Sequence, residues 1–274
     1  MNGNINRNRS NERKTEFADN LFTDERNDVV VGRNAVRELL RNGREIDKIL
    51  VSDGQKEGSI NELIYKARES KIPVVETDKR KLEKICLEAG CSNNSHQGII
   101  AFVSGIKYAQ IDDIFERAEK RCEKPFIIIA DKVADPHNLG AVIRSAEACG
   151  AHGIIIPKRQ AAGVSAIVMK SSAGAAEHLP ICRVTNLADT AESLKKMGIW
   201  LIACEAGGNN YTEIDYDMPC ALVLGSEGSG ISKLLLSKCD FIASIPMKGF
   251  VNSLNVSCAG AVIMYEVLRQ RELK

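Results

Sequence analysis

The sequence predicts an α/β protein of two domains, and three observations lead to this fold class. Its 274 residues suffice for two domains of ordinary size, and a composition of 44% hydrophobic and 27% charged residues is typical of a globular protein. Short apolar segments alternate with helical segments along the chain, which indicates strands separated by helices. One segment, Phe126–Ala130, is apolar throughout, as expected for a buried strand of a parallel sheet.

The N-terminal part of the chain divides into a tail, a small domain and a linker. Residues 1–27 are rich in Asn, Arg, Glu and Asp and are expected to form a disordered tail. Residues 28–104 are predicted to form an α/β domain, and residues 105–124 a charged linker with one short helix at 112–121. The elements expected in this first domain are helices at 33–41, 60–70 and 79–87, and strands at 48–51, 73–76 and 98–103.

The second predicted domain spans residues 125–274. After the strand at 126–130, further strands are expected at 153–156, 199–203, 221–224 and 241–244, with helices between them. A last helix is predicted from about residue 253 to residue 271. This alternation favours a mostly parallel sheet.

Several classes of protein are excluded by the composition. No apolar run approaches the roughly 20 residues that span a bilayer, and residues 1–20 lack the apolar stretch of a secretion signal, so we expect a cytoplasmic protein without membrane contact. The nine cysteines form no C-x-x-C pair and the four histidines are scattered, so neither a disulfide framework nor a metal site is predicted. A net charge of +1 describes only the sum of the charges, so any contact with nucleic acid has to depend on local patches.

The first of three notable segments follows the strand at 126–130. Asn138 is expected to cap a helix that Gly150 ends, and Arg144 lies inside that helix. An arginine at such a position is either an ordinary exposed side chain or a functional cation.

The second segment is a strand that ends in a glycine-rich loop, Leu222–Gly230. Glycines allow the backbone to approach a ligand closely, although a plain turn has the same composition. Gly225 and Gly230 have the spacing of a phosphate-binding loop, but Ile231 stands where that loop requires lysine. The carboxylate of Glu227 would also repel phosphates, so a nucleoside triphosphate is not the expected ligand.

The third segment contains residues 245–249 and 253–261. Ser253 is expected to cap the last helix, and the small residues from Cys258 to Ala261 would allow another backbone to pack closely against it. A tight helix contact within the chain explains these small residues equally well.

Together and in this order, the three segments resemble the SpoU family of RNA ribose methyltransferases, within the trefoil-knotted SPOUT superfamily. The family motifs N-x-G-x-x-x-R, G-S-E-G-x-G and S-L-N-V-S are complete here, beginning at Asn138, Gly225 and Ser253. The match covers about 150 residues. The resemblance implies a C-terminal knotted methyltransferase domain that binds S-adenosylmethionine and methylates a ribose 2′-hydroxyl. The first domain, with Val31–Val36 and Ser95–Gly98, resembles the ribosomal-protein-like RNA-binding domain of one SpoU branch.

The resemblance also implies which residues form the site. The cofactor pocket is expected to contain Leu224, Gly225, Glu227, Ile245, Met247 and Leu254. The expected catalytic residues are Asn138, Arg144, Glu227, Ser253 and Asn255. Arginine stays protonated, with a pKa above about 12. We therefore expect Arg144 to hold a phosphate or stabilise the developing alkoxide, while a phosphate oxygen, Glu227 or water accepts the proton.

The branch that the first domain resembles modifies a guanosine of 23S rRNA in the peptidyl-transferase region. The expected partner is therefore 23S rRNA or a precursor of the large ribosomal subunit. Arg33, Arg37 and Arg41 recur every four residues on one helix face and are expected, with Arg144, to contact RNA. A transfer RNA or an adenosine of 23S rRNA is the alternative substrate, and a non-catalytic RNA-binding factor the alternative of another class. The resemblance further implies a homodimer through the C-terminal domain.

Overall fold

The computed structural model describes residues 29–41, 44–54, 58–92 and 94–272, so the predicted tail at 1–27 lies outside the described residues. The chain forms two compact units that adjoin in sequence between Ser104 and Gly105. Within the described part, no helix is long and apolar enough to cross a membrane.

The first unit is a four-stranded sheet with helices on both faces. Its strands are β1 (Val29–Val31), β2 (Ile46–Ser52), β3 (Val74–Thr77) and β4 (Ile99–Val103), in the order β1-β4-β2-β3. The helices are α1 (Arg33–Arg41), α2 (Ser59–Glu69) and α3 (Lys79–Glu88). Strand β4 is antiparallel to β1 and β2, whereas β3 is parallel to β2.

Alternation along the strands builds two cores in this unit. Ile49 faces α1 and α2, whereas the next residue, Leu50, packs with Leu82 and Cys86 of α3. Successive side chains of a strand point to opposite faces, so helices can cover the sheet on both sides. The helices and strands predicted for this domain are confirmed, with shifts of one or two residues at their ends.

The second unit contains a six-stranded parallel sheet in the order β10-β8-β9-β5-β6-β7. Its strands are β5 (Phe126–Ala130), β6 (Gly153–Pro157), β7 (Ile181–Val184), β8 (Trp200–Asn210), β9 (Cys220–Leu224) and β10 (Phe241–Ser244). The helices are α4 (Ile111–Lys120), α5 (Pro136–Ala148), α6 (Ala166–Ser171), α7 (Leu187–Lys196), α8 (Lys233–Leu236) and α9 (Val256–Glu272). The expected mostly parallel sheet is confirmed, with β5 buried along its whole length between β6 and β9.

Both faces of the large sheet are covered by helices. Ile127 and Ile129 pack on the side of α4 and α7, whereas Phe126 and Ile128 pack on the side of α5 and α9. Helices α5 and α9 also pack against each other. This contact brings the first and the third sequence motif to the same side of the sheet.

Residues 105–124, which the sequence suggests as a linker, pack within the second unit. Helix α4 buries Ile114 against Gly153, where an added Cβ would lie only 2.5 Å from the Ile114 side chain. Two further differences concern strands. Strand β7, which has only four residues, is not predicted from the sequence, and β8 continues to Asn210 instead of ending at residue 203.

Candidate active site

Asn138 lies in the first turn of α5 and not at the cap that the sequence suggests. The helix begins at Pro136, and Asp135 caps it by accepting a hydrogen bond from the His137 amide at 2.8 Å. The expectation of an Asn138 cap is therefore wrong, because an aspartate three residues earlier takes that role and proline is suited to the first helical position. The side chain of Asn138 does not cap the helix. It is buried, and its amide group donates to Oε1 of Glu227 at 2.7 Å.

Asn255 does what the sequence analysis assigns to Ser253. Helix α9 begins at Val256, and Oδ1 of Asn255 accepts from the Ser257 amide at 2.9 Å and from its hydroxyl at 2.6 Å. Asn255 therefore caps the helix, and the expectation of a Ser253 cap is wrong. The Asn255 amide group donates to Oε1 of Glu227 at 2.5 Å and to Oδ1 of Asn138 at 3.0 Å.

These contacts join the three sequence motifs in one group of side chains, Asn138, Glu227 and Asn255, which we call the Asn–Glu–Asn cluster. Two amide groups converge on the same carboxylate oxygen, so the orientation of the Glu227 side chain is fixed. Within the described part of the chain, Oε2 of Glu227 makes no hydrogen bond and is available to a further donor. Charged hydrogen bonds of this kind are stronger than neutral ones.

The loop after β9 is closed on itself by its backbone. The amide of Ser226 donates to the carbonyl of Gly230 at 3.1 Å, and the amide of Gly230 donates back at 3.0 Å. A Cβ on Gly225 would lie 2.3 Å from the carbonyl carbon of Gly230, a distance that real Cβ atoms do not reach. Glycine at 225 is therefore required by close backbone approach, and the simple-turn interpretation does not explain this restriction.

A cavity of about 540 Å³ opens beside this loop, at the carboxyl ends of β9 and β10 and against the middle of β8. Ligands of parallel sheets bind at this end of the strands, and the volume lies within the roughly 300–1,000 Å³ of small-molecule sites. All six positions expected to bind the cofactor line this cavity, namely Leu224, Gly225, Glu227, Ile245, Met247 and Leu254.

The walls of the cavity fit S-adenosylmethionine. Buried Leu224, Val256 and Ile263 provide apolar surface for an adenine ring, and the loop backbone supplies polar groups for its edge. Carboxylates of Glu205 and Glu227 suit the positive charge of a sulfonium. Gly260 is also explained here, because its Cα lies against Leu224 and an added Cβ would be 2.9 Å from that side chain. The small residue thus serves packing within the chain.

One wall of the cavity is not predicted from the sequence, namely Cys204, Glu205 and Ala206 near the middle of β8. These residues belong to no motif, and the predicted strand ends at residue 203. Only the order of the strands places these residues at the cavity. Because β8 pairs with β9 up to Cys204 and Leu224, the residues of β8 that follow Cys204 border the glycine loop. Burial raises the pKa of the Cys204 thiol far above its ordinary value, so this thiol is neutral and not a nucleophile.

The structure does not place the other two expected catalytic residues in the Asn–Glu–Asn cluster. Ser253 lines the cavity and is exposed. Arg144 is exposed on α5, where a separation of six residues from Asn138 puts it on a different face of the helix. Among the described residues, its guanidinium has no hydrogen-bond or ion-pair partner, so it is available to a ligand.

The three arginines of α1 have different environments. Arg33 donates to the carbonyl of Gln97 at 2.9 Å and to the hydroxyl of Ser59 at 3.3 Å. Among the described residues, Arg37 and Arg41 bond only within the helix, to Asn34 at 2.9 Å and to Glu38 at 3.0 Å. Arg33 therefore holds parts of the first unit together, whereas Arg41 is exposed and Arg37 is half-buried. The described residues contain no group of side chains that could hold a metal ion.

Two family profiles and several known proteins are similar to this chain. The profile of the SpoU rRNA Methylase family matches residues 125–265, and the profile described as RNA 2′-O ribose methyltransferase substrate binding matches residues 29–109. The chain is 42% identical over 248 residues to a Bacillus subtilis protein named as TrmH family tRNA/rRNA methyltransferase YacO, covering 90% of this chain and 97% of the relative. A Staphylococcus saprophyticus protein of the same family name is 43% identical over 244 residues, covering 89% and 96%.

A solved structure is also similar in fold to this chain. The SpoU methyltransferase AviRb from Streptomyces viridochromogenes, in complex with the cofactor AdoMet, matches with a TM-score of 0.56 and 26% identity. The match covers 90% of this chain and 91% of that chain.

Proposed function

The chain belongs to the SpoU rRNA methylase family, and from this membership we propose that it transfers a methyl group from S-adenosylmethionine to a ribose 2′-hydroxyl of RNA. The observation that carries the proposal is the Asn–Glu–Asn cluster beside the cavity. Three motifs distant in sequence meet there, and Glu227 belongs to both the cluster and the cavity wall.

In this proposal the cavity holds the cofactor through Leu224, Gly225, Ile245, Met247 and Leu254. When bound, S-adenosylmethionine supplies a methyl group activated by its positive sulfur. The contribution of the chain is placement, since holding two reacting groups in line is worth about 7–11 kcal/mol. The closed glycine loop suits this role because the hydrogen bonds between Ser226 and Gly230 hold its backbone in place.

The 2′-hydroxyl must lose a proton as its oxygen takes the methyl group. Arg144 is proposed to hold a phosphate or stabilise the developing negative oxygen, because a guanidinium stays protonated and cannot act as a base. The proton then passes to an RNA phosphate oxygen, to Glu227 or to water. Ser253 and Asn255 are proposed to border the reacting ribose. The exposure of Arg144 supports a role in contacting RNA.

The proposed substrate is a guanosine ribose in the peptidyl-transferase region of 23S rRNA, free or in a large-subunit precursor. The substrate-binding match at residues 29–109 supports an RNA substrate, and the similarity of the first domain to one SpoU branch supports the ribosomal one. A transfer RNA is the second candidate, which the tRNA/rRNA name of the relatives favours.

Methyl transfer from labelled S-adenosylmethionine into unmodified 23S rRNA and bulk tRNA tests this proposal, with nuclease mapping of the label. Label at a single guanosine of 23S rRNA is the expected result. Label in tRNA alone would replace the substrate and keep the reaction. If cofactor binds but neither RNA nor a precursor particle is labelled, the chain is a non-catalytic RNA-binding factor.

We also propose that the protein is a cytoplasmic homodimer through its C-terminal unit. Cys258, Val262 and Tyr265 form an exposed stripe along α9, with 37% of Val262 and 53% of Tyr265 accessible. Such a stripe on a packed helix suits a second copy of the chain. A monomer mass by light scattering at micromolar concentration would contradict the dimer.

A further inference from the structure

The cavity wall carries a net negative charge. Glu205 and Glu227 contribute two carboxylates, and among the described residues Lys233 is the only cation that lines the cavity. Lys233 is itself exposed, so solvent screens its ammonium group. A cleft lined by one sign of charge favours ligands of the opposite sign.

The two carboxylates have different neighbours. Oε1 of Glu227 accepts hydrogen bonds from the side-chain amide groups of Asn138 and Asn255. These bonds stabilise part of the negative charge of Glu227 within the cluster. Glu205 accepts one backbone hydrogen bond, from Ile231 to Oε2 at 3.2 Å. Within the described part of the chain, no cation pairs with Glu205. Its charge is therefore the less compensated of the two.

The position of Glu205 is set by the glycine loop. A Cβ at residue 230 would lie 2.5 Å from Oε2 of Glu205 and 3.3 Å from Oε1, so the carboxylate lies directly on the glycine. Gly230 also has a φ of +62°, which glycine adopts without strain. The packing on Gly230 and the hydrogen bond from Ile231 hold this partly buried carboxylate against the cofactor cavity.

We propose that Glu205 is a specificity-determining residue that makes the cavity prefer S-adenosylmethionine to its demethylated product. The inference rests on the proposed function, since it requires this cofactor. Methyl transfer turns the positive sulfonium into a neutral thioether, while the rest of the molecule keeps its charges. A fixed carboxylate thus attracts the substrate form more than the product form, and product release becomes easier after each turnover.

The test is calorimetric binding of S-adenosylmethionine and S-adenosylhomocysteine to the full chain and to Glu205→Gln. Glutamine keeps an oxygen that can accept the Ile231 amide and removes only the charge. We expect affinity for S-adenosylmethionine to fall about fivefold, the scale of a partly exposed charge interaction, with affinity for S-adenosylhomocysteine nearly unchanged. The preference should also narrow as salt is added.

Two further variants define the effect. Lys233→Gln removes the cation of the wall and should shift the preference in the opposite direction, by a smaller factor because Lys233 is exposed. Glu213→Gln, at an exposed position outside the cavity lining, should leave both affinities unchanged. Equal weakening of both ligands by Glu205→Gln would assign Glu205 to loop packing and overturn the proposal. No change in either affinity would overturn it as well. If the wild-type protein bound neither ligand, the cofactor assignment itself would fail.

Discussion

Asn138 and Asn255 are 117 residues apart in sequence, yet the amide of Asn255 donates to Oδ1 of Asn138 at 3.0 Å. Both amides also donate to Oε1 of Glu227, so each residue of the cluster contacts the other two. The packing of α5 against α9 makes this meeting possible. The cluster is thus a consequence of the fold, and substitutions can test its internal geometry and its chemistry separately.

Exchanging the amide of Asn138 with the carboxylate of Glu227 separates the contribution of the cluster to stability from its contribution to methyl transfer. Asn138→Asp places a second carboxylate against Glu227 and should lower the free energy of unfolding by about 1–3 kcal/mol, because a buried donor is replaced by a repelling acceptor. Adding Glu227→Gln restores a donor–acceptor pair and should recover most of this loss, as measured by chemical denaturation. Methyl transfer should stay at least about 100-fold below wild type in both variants. Recovered activity in the double variant would show that the position of the carboxylate does not matter.

Two alanine substitutions test the glycine loop. Gly225→Ala introduces a Cβ at 2.3 Å from the Gly230 backbone and should open the loop, lowering cofactor affinity at least about tenfold. Gly249→Ala, at a position outside the cavity lining, meets no atom within 4 Å and should bind the cofactor normally. Titration calorimetry compares the two. Similar affinities would contradict the assignment of this loop to the cofactor cavity.

Buried His152 predicts a loss of stability in acid. Its Nδ1 accepts from the Phe126 amide at 2.9 Å, so Nε2 carries the proton and donates to Glu123 at 3.0 Å. Burial lowers the pKa of His152 below 6.5, although Glu123 opposes the shift. The unfolded chain therefore binds the proton at higher pH than the folded protein. The contribution of His152 is complete above about pH 6.5 and declines as the pH falls below it, by up to about 1.4 kcal/mol per unit.

Denaturation curves measured between about pH 5 and 8, roughly the range in which histidine titrates, give the free energy of unfolding as a function of pH. His152→Asn keeps an acceptor for the Phe126 amide and should flatten the curve, at some cost in stability near neutral pH. His178→Asn, at an exposed position, should leave the slope unchanged. An unaltered slope in His152→Asn would contradict the prediction.

Arginines of α1 should differ in their effects on RNA binding and on folding. Arg37→Gln should weaken RNA binding and reduce the magnitude of its salt slope by about one, without a change in stability. Arg33→Ala should in addition lower the free energy of unfolding by about 1 kcal/mol, because it removes the bonds to Gln97 and Ser59. Arg68→Gln, an exposed arginine of α2, is the control. Equal effects of Arg37→Gln and Arg68→Gln would mean that α1 is not a specific contact surface.

The sequence was sufficient for the parallel sheet and for six residues of the cavity wall, but not for local helix caps. Strands such as β5 and β9 are apolar throughout, so their burial can be predicted from the sequence. The motifs supplied Asn138, Glu227 and Asn255 but not their contacts. Caps at Asp135 and Asn255 were misassigned because several residues near each helix start can accept the same amide hydrogen bonds.

Glu205 was missed for a different reason. Its role depends on the pairing of β8 with β9, and no local pattern in the sequence encodes which strands become neighbours. The environments of the arginines expected to contact RNA could not be predicted either, since a shared helix face does not distinguish Arg33, which bonds to Gln97 and Ser59, from Arg37, which bonds within its own helix. The trefoil knot expected from the resemblance stays a prediction.

The central claim, methylation of a ribose 2′-hydroxyl by cofactor held in this cavity, is tested most directly by nucleoside analysis of the product RNA. Purified protein is incubated with labelled S-adenosylmethionine and unmodified 23S rRNA. The RNA is then digested to nucleosides, which are separated by chromatography and identified by mass spectrometry. Label is expected in a 2′-O-methylnucleoside and should be at least about 100-fold lower with Glu227→Gln. Label on a base, or undiminished 2′-O-methylation by Glu227→Gln, would contradict the proposed function.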